Sequence, residues 1–187
     1  MTDERANRKM SAILSADVKG YSSLMSVDEE GTVKALNDCR EIISRCVHEH
    51  RGRVVDSPGD NVLAEFVSTV EAVKCAVKIQ TDLKVKNADL PEKRKMEFRI
   101  GVNLGDVIEE DGRIYGDGVN IAARIEGLAE AGGICISGTA FDQVKGKLSL
   151  GYQFVGIQTV KNIPEPSSGA LTLEGPSSWA PTSIEQT

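Results

Sequence analysis

Short apolar runs alternate along this chain with longer stretches in which apolar residues recur every three or four positions. Residues 10–16 (MSAILSA) form an apolar run of strand length, and residues 17–22 follow as a turn around Gly20. Over 28–50, Val33, Leu36, Ile43 and Val47 recur at helical spacing, and Gly52 ends the pattern. Residues 53–57 and 61–66 read as two short strands joined by a Pro58-Gly59-Asp60 turn. Ala72, Ala76, Ile79 and Leu83 place a second helix over 69–86. A polar loop with Pro91 leads to predicted strands at 97–103 and 106–110, a turn at Asp111-Gly112 and a helix over 118–128. Gly132-Gly133 precedes a strand at 134–137 and a short helix around 139–144, and strands are expected near 152–155 and 159–161.

Helices alternate with strands, but hairpins interrupt the alternation. This predicts an α+β sandwich, a mostly antiparallel sheet with helices on one face. From Pro164 onward Pro, Ser, Gly and Thr dominate. The expected organisation is a polar N-terminal segment (1–9), one catalytic domain (10–166) and a disordered or loosely attached tail (167–187). The 187 residues suffice for one cored domain. The net charge of −6 argues against general nucleic-acid binding, though a metal or a local Arg cluster can still hold an anionic substrate. Cys39, Cys46, Cys75 and Cys135 form no C-x-x-C pair and read as buried thiols in a reducing compartment. No apolar run is long enough to span a membrane and no secretory leader is recognisable, so no membrane insertion and a cytoplasmic location are expected.

Four places carry candidate chemistry. Asp17 closes an apolar strand just before Gly20: it suits a helix cap, or a metal ligand beside a phosphate-binding turn. Asp60 suits a turn residue, or a second hard-oxygen ligand for Mg²⁺ at the end of a neighbouring strand. Asn120 and Arg124 lie four apart on one helix face, either solvated or arranged to hold ribose and phosphoryl oxygens. Tyr115, beside this region, suits core packing or stacking on a base, and Glu109-Glu110-Asp111 reads as a solvated hairpin tip.

Taken in order, Asp17-x-x-Gly20-Tyr21-Ser22, Gly59-Asp60, Arg99-Ile100-Gly101-Val102-Asn103-Leu104-Gly105 and Gly116-x-Gly118-Val119-Asn120-x-Ala122-Ala123-Arg124 resemble the class III adenylyl/guanylyl cyclase catalytic domain over residues 10–166. The resemblance implies a ferredoxin-like palm that dimerises head to tail, with two composite active sites. It implies two divalent ions, Mg²⁺ or Mn²⁺, on Asp17, Asp60 and the Val18 backbone. It matches Val18, Gly20 and Tyr21 to the triphosphate loop, Arg99 to a phosphate-contacting arginine and Lys161 to a phosphate-binding lysine. Asn120 and Arg124 match the pair that stabilises the transition state.

The chain departs from the family where the base is read. Adenylyl cyclases carry Lys four residues before the second metal Asp and Asp or Thr seven before the Asn; here those positions hold Asp56 and Arg113. One reading has Asp56 accept from a base N–H and Arg113 donate to a carbonyl oxygen in a smaller pocket. That suits UTP (giving cUMP) ahead of CTP, as in the pyrimidine cyclases of anti-phage defence. A second keeps GTP or ATP as substrate. A third pairs Asp56 with Arg113 and leaves base selectivity loose. A non-catalytic nucleotide-binding dimer is the alternative from a different class.

Overall fold

In a computed structural model of the chain, residues 7–156 and 170–173 are described. Strand β1 (Asn7–Val18) leads through helices α1 (Tyr21–Val27) and α2 (Glu29–Glu49) to the hairpin of β2 (Arg53–Asp56) and β3 (Val62–Phe66). Helix α3 (Thr69–Asn87) and a 3-10 turn (Glu92–Arg94) precede the long strand β4 (Phe98–Glu110). Next come β5 (Arg113–Tyr115), α4 (Asp117–Glu126), β6 (Ile134–Ser137), α5 (Gly138–Val144), β7 (Tyr152–Gly156) and β8 (Ala170–Leu173). The sheet order is β2-β3-β1-β4-β6-β8-β7, with β5 paired to β4. Its first half, β2-β3-β1-β4, is antiparallel throughout and has the ferredoxin-like arrangement. The β4–β6 pair is parallel. The expected α+β class with a mostly antiparallel sheet is what the chain adopts.

Alternation along β1 decides what each face does. Ala12, Leu14, Ala16 and Val18 point into the main core, where they meet Leu36, Ile43 and Val47 of α2 and Ala76, Ile79 and Leu83 of α3. Ile13 points to the other face and packs with Val107, Ile114 and Ala122. Helix α4 therefore lies on the face opposite α2 and α3, where the sequence reading placed all helices together. Small residues permit its close approach. A Cβ on Gly101 would sit 2.4 Å from the backbone N of Glu126, and one on Gly118 would sit 2.6 Å from the Asp106 carbonyl.

The elements differ from expectation in five further places. β1 starts at Asn7, so residues 7–9 of the expected polar segment are strand; they pair with Val107, Ile108 and Glu109. Residues 98–110 form one strand rather than two, because β1 pairs with it without a break from Val18–Phe98 to Asn7–Glu109. α1 was not predicted, and neither was β5, which pairs Arg113 with Glu110 across a turn with positive φ at Asp111 and Gly112. β8 lies inside the segment expected to be a loose tail. It is held between β6 and β7, and its Leu171 and Leu173 are buried in the main core. The expected strand at 159–161 and the rest of the tail fall outside the described residues. All four cysteines are free and buried.

Candidate active site

The register brings the predicted acidic residues together. Asp17 and Arg99 are direct cross-strand partners in the β1–β4 pair, so their side chains share a face. Arg99 donates to both Asp17 oxygens, Nε to Oδ1 at 3.1 Å and Nη2 to Oδ2 at 2.9 Å. This bidentate pair is a contact the sequence reading did not assign to Arg99. On the other side of β1, Ala16 pairs with Val62 of β3. The turn before β3 therefore lies beside residues 17 and 18. Asp60, in that turn, accepts the Val18 N–H at 3.2 Å on Oδ2. The hydrogen-bonded Asp17 raises the Arg99 pKa against the opposing effect of burial, and the negative charges of Glu126 and Asp60 add to it.

A third acidic residue, missed in the sequence, sits beneath this pair. Glu126, the last residue of α4, is 5% exposed. Its Oε1 accepts from Ser15 Oγ at 3.0 Å and from Asn61 Nδ2 at 3.2 Å. Burial, with the negative Asp17 alongside, pushes its carboxyl up to about 8. The signal was present: 122, 125, 126 and 129 form the buried stripe of this region, and a Glu stands among Ala and Ile residues.

The residues matched by resemblance to a triphosphate loop lie at the same strand end. Val18 is buried, the Lys19 N–H donates to the Glu97 carbonyl, Gly20 turns the chain with φ of 71°, and Tyr21 opens α1 against the core. Asn120 and Arg124 lie exposed on α4, one turn apart as expected. Gly116, with φ of 110°, starts this helix in a conformation that side chains disfavour. Asp56 is half-buried and accepts the Ser57 N–H on Oδ1. Arg113 is exposed, next to the buried Ile114 of β5. Among the described residues Asp56 and Arg113 form no ion pair with each other. Tyr115 is 48% exposed rather than core, because alternation gives the buried place in β5 to Ile114. Glu109 belongs to β4 and pairs with Lys9 and Arg53, so it is not part of a solvated tip. Lys161 falls outside the described residues.

The part-exposed carboxylates of Asp17 and Asp60 are hard-oxygen donors of the kind that Mg²⁺ or Mn²⁺ takes, and would need water and phosphate oxygens to complete a coordination shell. Among the described residues no group of three or more His, Cys, Asp or Glu side chains is placed to hold a metal ion by itself.

The family model for the adenylate and guanylate cyclase catalytic domain matches residues 5–165. The chain belongs to this family. It is 45% identical over 167 residues to "Putative adenylate cyclase 3" of Rhizobium meliloti, covering 89% of this chain and 28% of that relative's length. Among solved structures it is similar to an adenylate/guanylate cyclase/hydrolase from Silicibacter pomeroyi, with a TM-score of 0.84, 36% identity and coverage of 90% and 98% of the two chains. The adenylyl cyclase CyaB from P. aeruginosa shares the fold, with a TM-score of 0.78 at 24% identity over 90% and 95% of the two chains. Among the described residues of this cyclase-family chain, no helix is long and apolar enough to cross a membrane.

Proposed function

We propose that this chain is a nucleotidyl cyclase that closes a nucleoside triphosphate into a 3′,5′-cyclic monophosphate and releases pyrophosphate. The observation that carries the reading is the meeting of Asp17 and Asp60 at neighbouring strand ends, in a member of the cyclase family that also presents Asn120 and Arg124 on one exposed helix face. Asp17, Asp60 and the Val18 carbonyl would hold the divalent ions. Once bound, those ions supply a lowered pKa at the ribose 3′-hydroxyl and neutralise phosphate charge. The turn through Val18, Gly20 and Tyr21, with Arg99, orients the triphosphate; Lys161 is proposed to assist. The ribose 3′-oxygen attacks the α-phosphorus and the bond to the pyrophosphate oxygen breaks. Arg124 offsets the charge that develops on the α-phosphoryl oxygens, and Asn120 orients the ribose. Each site is composite in a head-to-tail homodimer, with Asn120 and Arg124 contributed by the second copy.

Two base readings each have an observation behind them. The name of the 45% identical Rhizobium relative supports ATP. The half-buried Asp56 acceptor and the exposed Arg113 donor support a pyrimidine, UTP before CTP, with a cyclic pyrimidine product of the kind used in anti-phage signalling. A Mn²⁺-supported turnover assay offering ATP, GTP, CTP and UTP separately decides between them. No cyclic product from any of the four would leave a binding module and end the enzyme reading. Asp17→Ala and Asp60→Ala should each lose turnover by about a hundredfold or more while keeping the parent's circular dichroism. Unchanged turnover in either would remove that residue from the metal set.

A further inference from the structure

The polar contacts beneath the two aspartates point to a positioning device. Ser15 lies two residues before Asp17 on β1, and Asn61 directly follows Asp60 in the β2–β3 turn. Both side chains donate to the same oxygen, Oε1 of Glu126, and Asn61 Nδ2 also reaches Ser15 Oγ at 3.4 Å. Ser15 is 1% exposed and Glu126 5%, so water does not compete freely for these bonds. The helix that carries Glu126 packs its backbone directly on Gly101 of the sheet. Asn103 Nδ2 also ties the other end of α4 to β4 through the Gly118 carbonyl at 3.0 Å.

We propose that Glu126 is a positioning residue: one buried oxygen draws the Ser15 and Asn61 side chains together and thereby sets the spacing of Asp17 and Asp60 for cation binding. This inference rests on the cyclase reading. It extends that reading in one respect. α4 carries Asn120 and Arg124 for one composite site of the dimer and, through Glu126, braces the metal-binding corner of the other.

The test measures Mn²⁺ binding by electron paramagnetic resonance, with a non-reactive triphosphate analogue present, alongside the Mn²⁺ dependence of turnover. Glu126→Gln keeps an acceptor oxygen and a donor in the same place, and its Mn²⁺ affinity should stay within about twofold of the parent. Glu126→Ala, which removes the shared acceptor, should bind Mn²⁺ about tenfold more weakly or worse, with turnover recovering at high Mn²⁺. Asn61→Ala and Ser15→Ala each remove one arm and should weaken binding in the same direction, and they carry the test if Glu126→Ala does not fold. Parent-like affinity in the folded variants that lack an arm or the acceptor would overturn the positioning role. So would equal loss in Glu126→Gln and Glu126→Ala, which would make the group's charge the operative property. A parent chain that takes up no Mn²⁺ with the triphosphate analogue present would overturn the cyclase reading and this inference together.

Discussion

Gly101 shows how a residue with no side chain shapes this site. A methyl group there would lie 2.4 Å from the Glu126 nitrogen and 2.6 Å from the Ala122 carbonyl. Both neighbours are helix backbone, so no rotamer change relieves the clash. Gly101→Ala should therefore destabilise the chain by about 2 kcal/mol, the usual range for overpacking. For a domain of this size that lowers the melting temperature by about 6 °C. A melting temperature equal to the parent's would mean that α4 can move off the sheet without loss. At this same scale the sequence was informative in part. Asp17, Asp60, Asn120 and Arg124, the proposed site residues, could be singled out because each sits in a motif of fixed spacing. Glu126, Ser15 and Asn61 were not, because their meeting depends on three elements far apart in the chain.

The helices on the core face are defined by ends that the sequence announces. Asp28 caps α2 by accepting the Gly31 N–H at 3.0 Å, and Ser68 caps α3 by accepting the Glu71 N–H at 3.2 Å. Replacing either by Ala should lower stability by about 1 kcal/mol, read by urea denaturation. The two helices are also joined by charge. Asp82 of α3 accepts from Lys78 at 2.7 Å and from Arg45 at 3.3 Å, and Cys46 Sγ lies 3.6 Å away. Burial would raise the Asp82 pKa, but the hydrogen bonds and charge of Lys78, with the bonds from Cys46 and Arg45, outweigh it and leave it lowered. A carboxylate held more acidic in the folded chain stabilises it above the unfolded value. That stabilisation is full above about 3.8 and is lost as the pH falls through the lower folded value. The stability gap between the parent and Asp82→Asn should therefore be widest near neutral pH and shrink below that value. A gap that stays constant from pH 7 to pH 3 would show that the ion pairs contribute nothing to it. The unpredicted β8 has a different origin. Its Leu171-Thr172-Leu173 alternation is only three residues long and is surrounded by Pro, Ser and Gly, so it becomes a strand only where β6 and β7 offer it two edges.

For the whole molecule, the division of labour between the sheet faces matters most. α2, α3 and α5 close the main core, while the other face carries Asp17, Arg99 and, among the described residues, the helix α4. This leaves Asn120 and Arg124 exposed on a surface of α4, where a second copy would meet them in the proposed dimer. Mixing two inactive variants tests that arrangement. One carries Asp17→Ala with Asp60→Ala, and the other Asn120→Ala with Arg124→Ala. In a random exchange of subunits, half of the dimers are mixed and each has one intact site, so about a quarter of the parent's activity should return. No recovery, with subunit exchange verified, would place both halves of the site in one chain.

The sequence by itself determined the α+β class, the main helices, the short apolar strands and the family, because each depends on local periodicity or on motifs of fixed spacing. Only the tertiary structure decided that α4 lies on the opposite face, that Arg99 is held by Asp17, and that a buried Glu126 joins the two strand ends. Those facts follow from strand register and from glycines that permit backbone contact, and register is a relation between distant segments that no single stretch of chain contains.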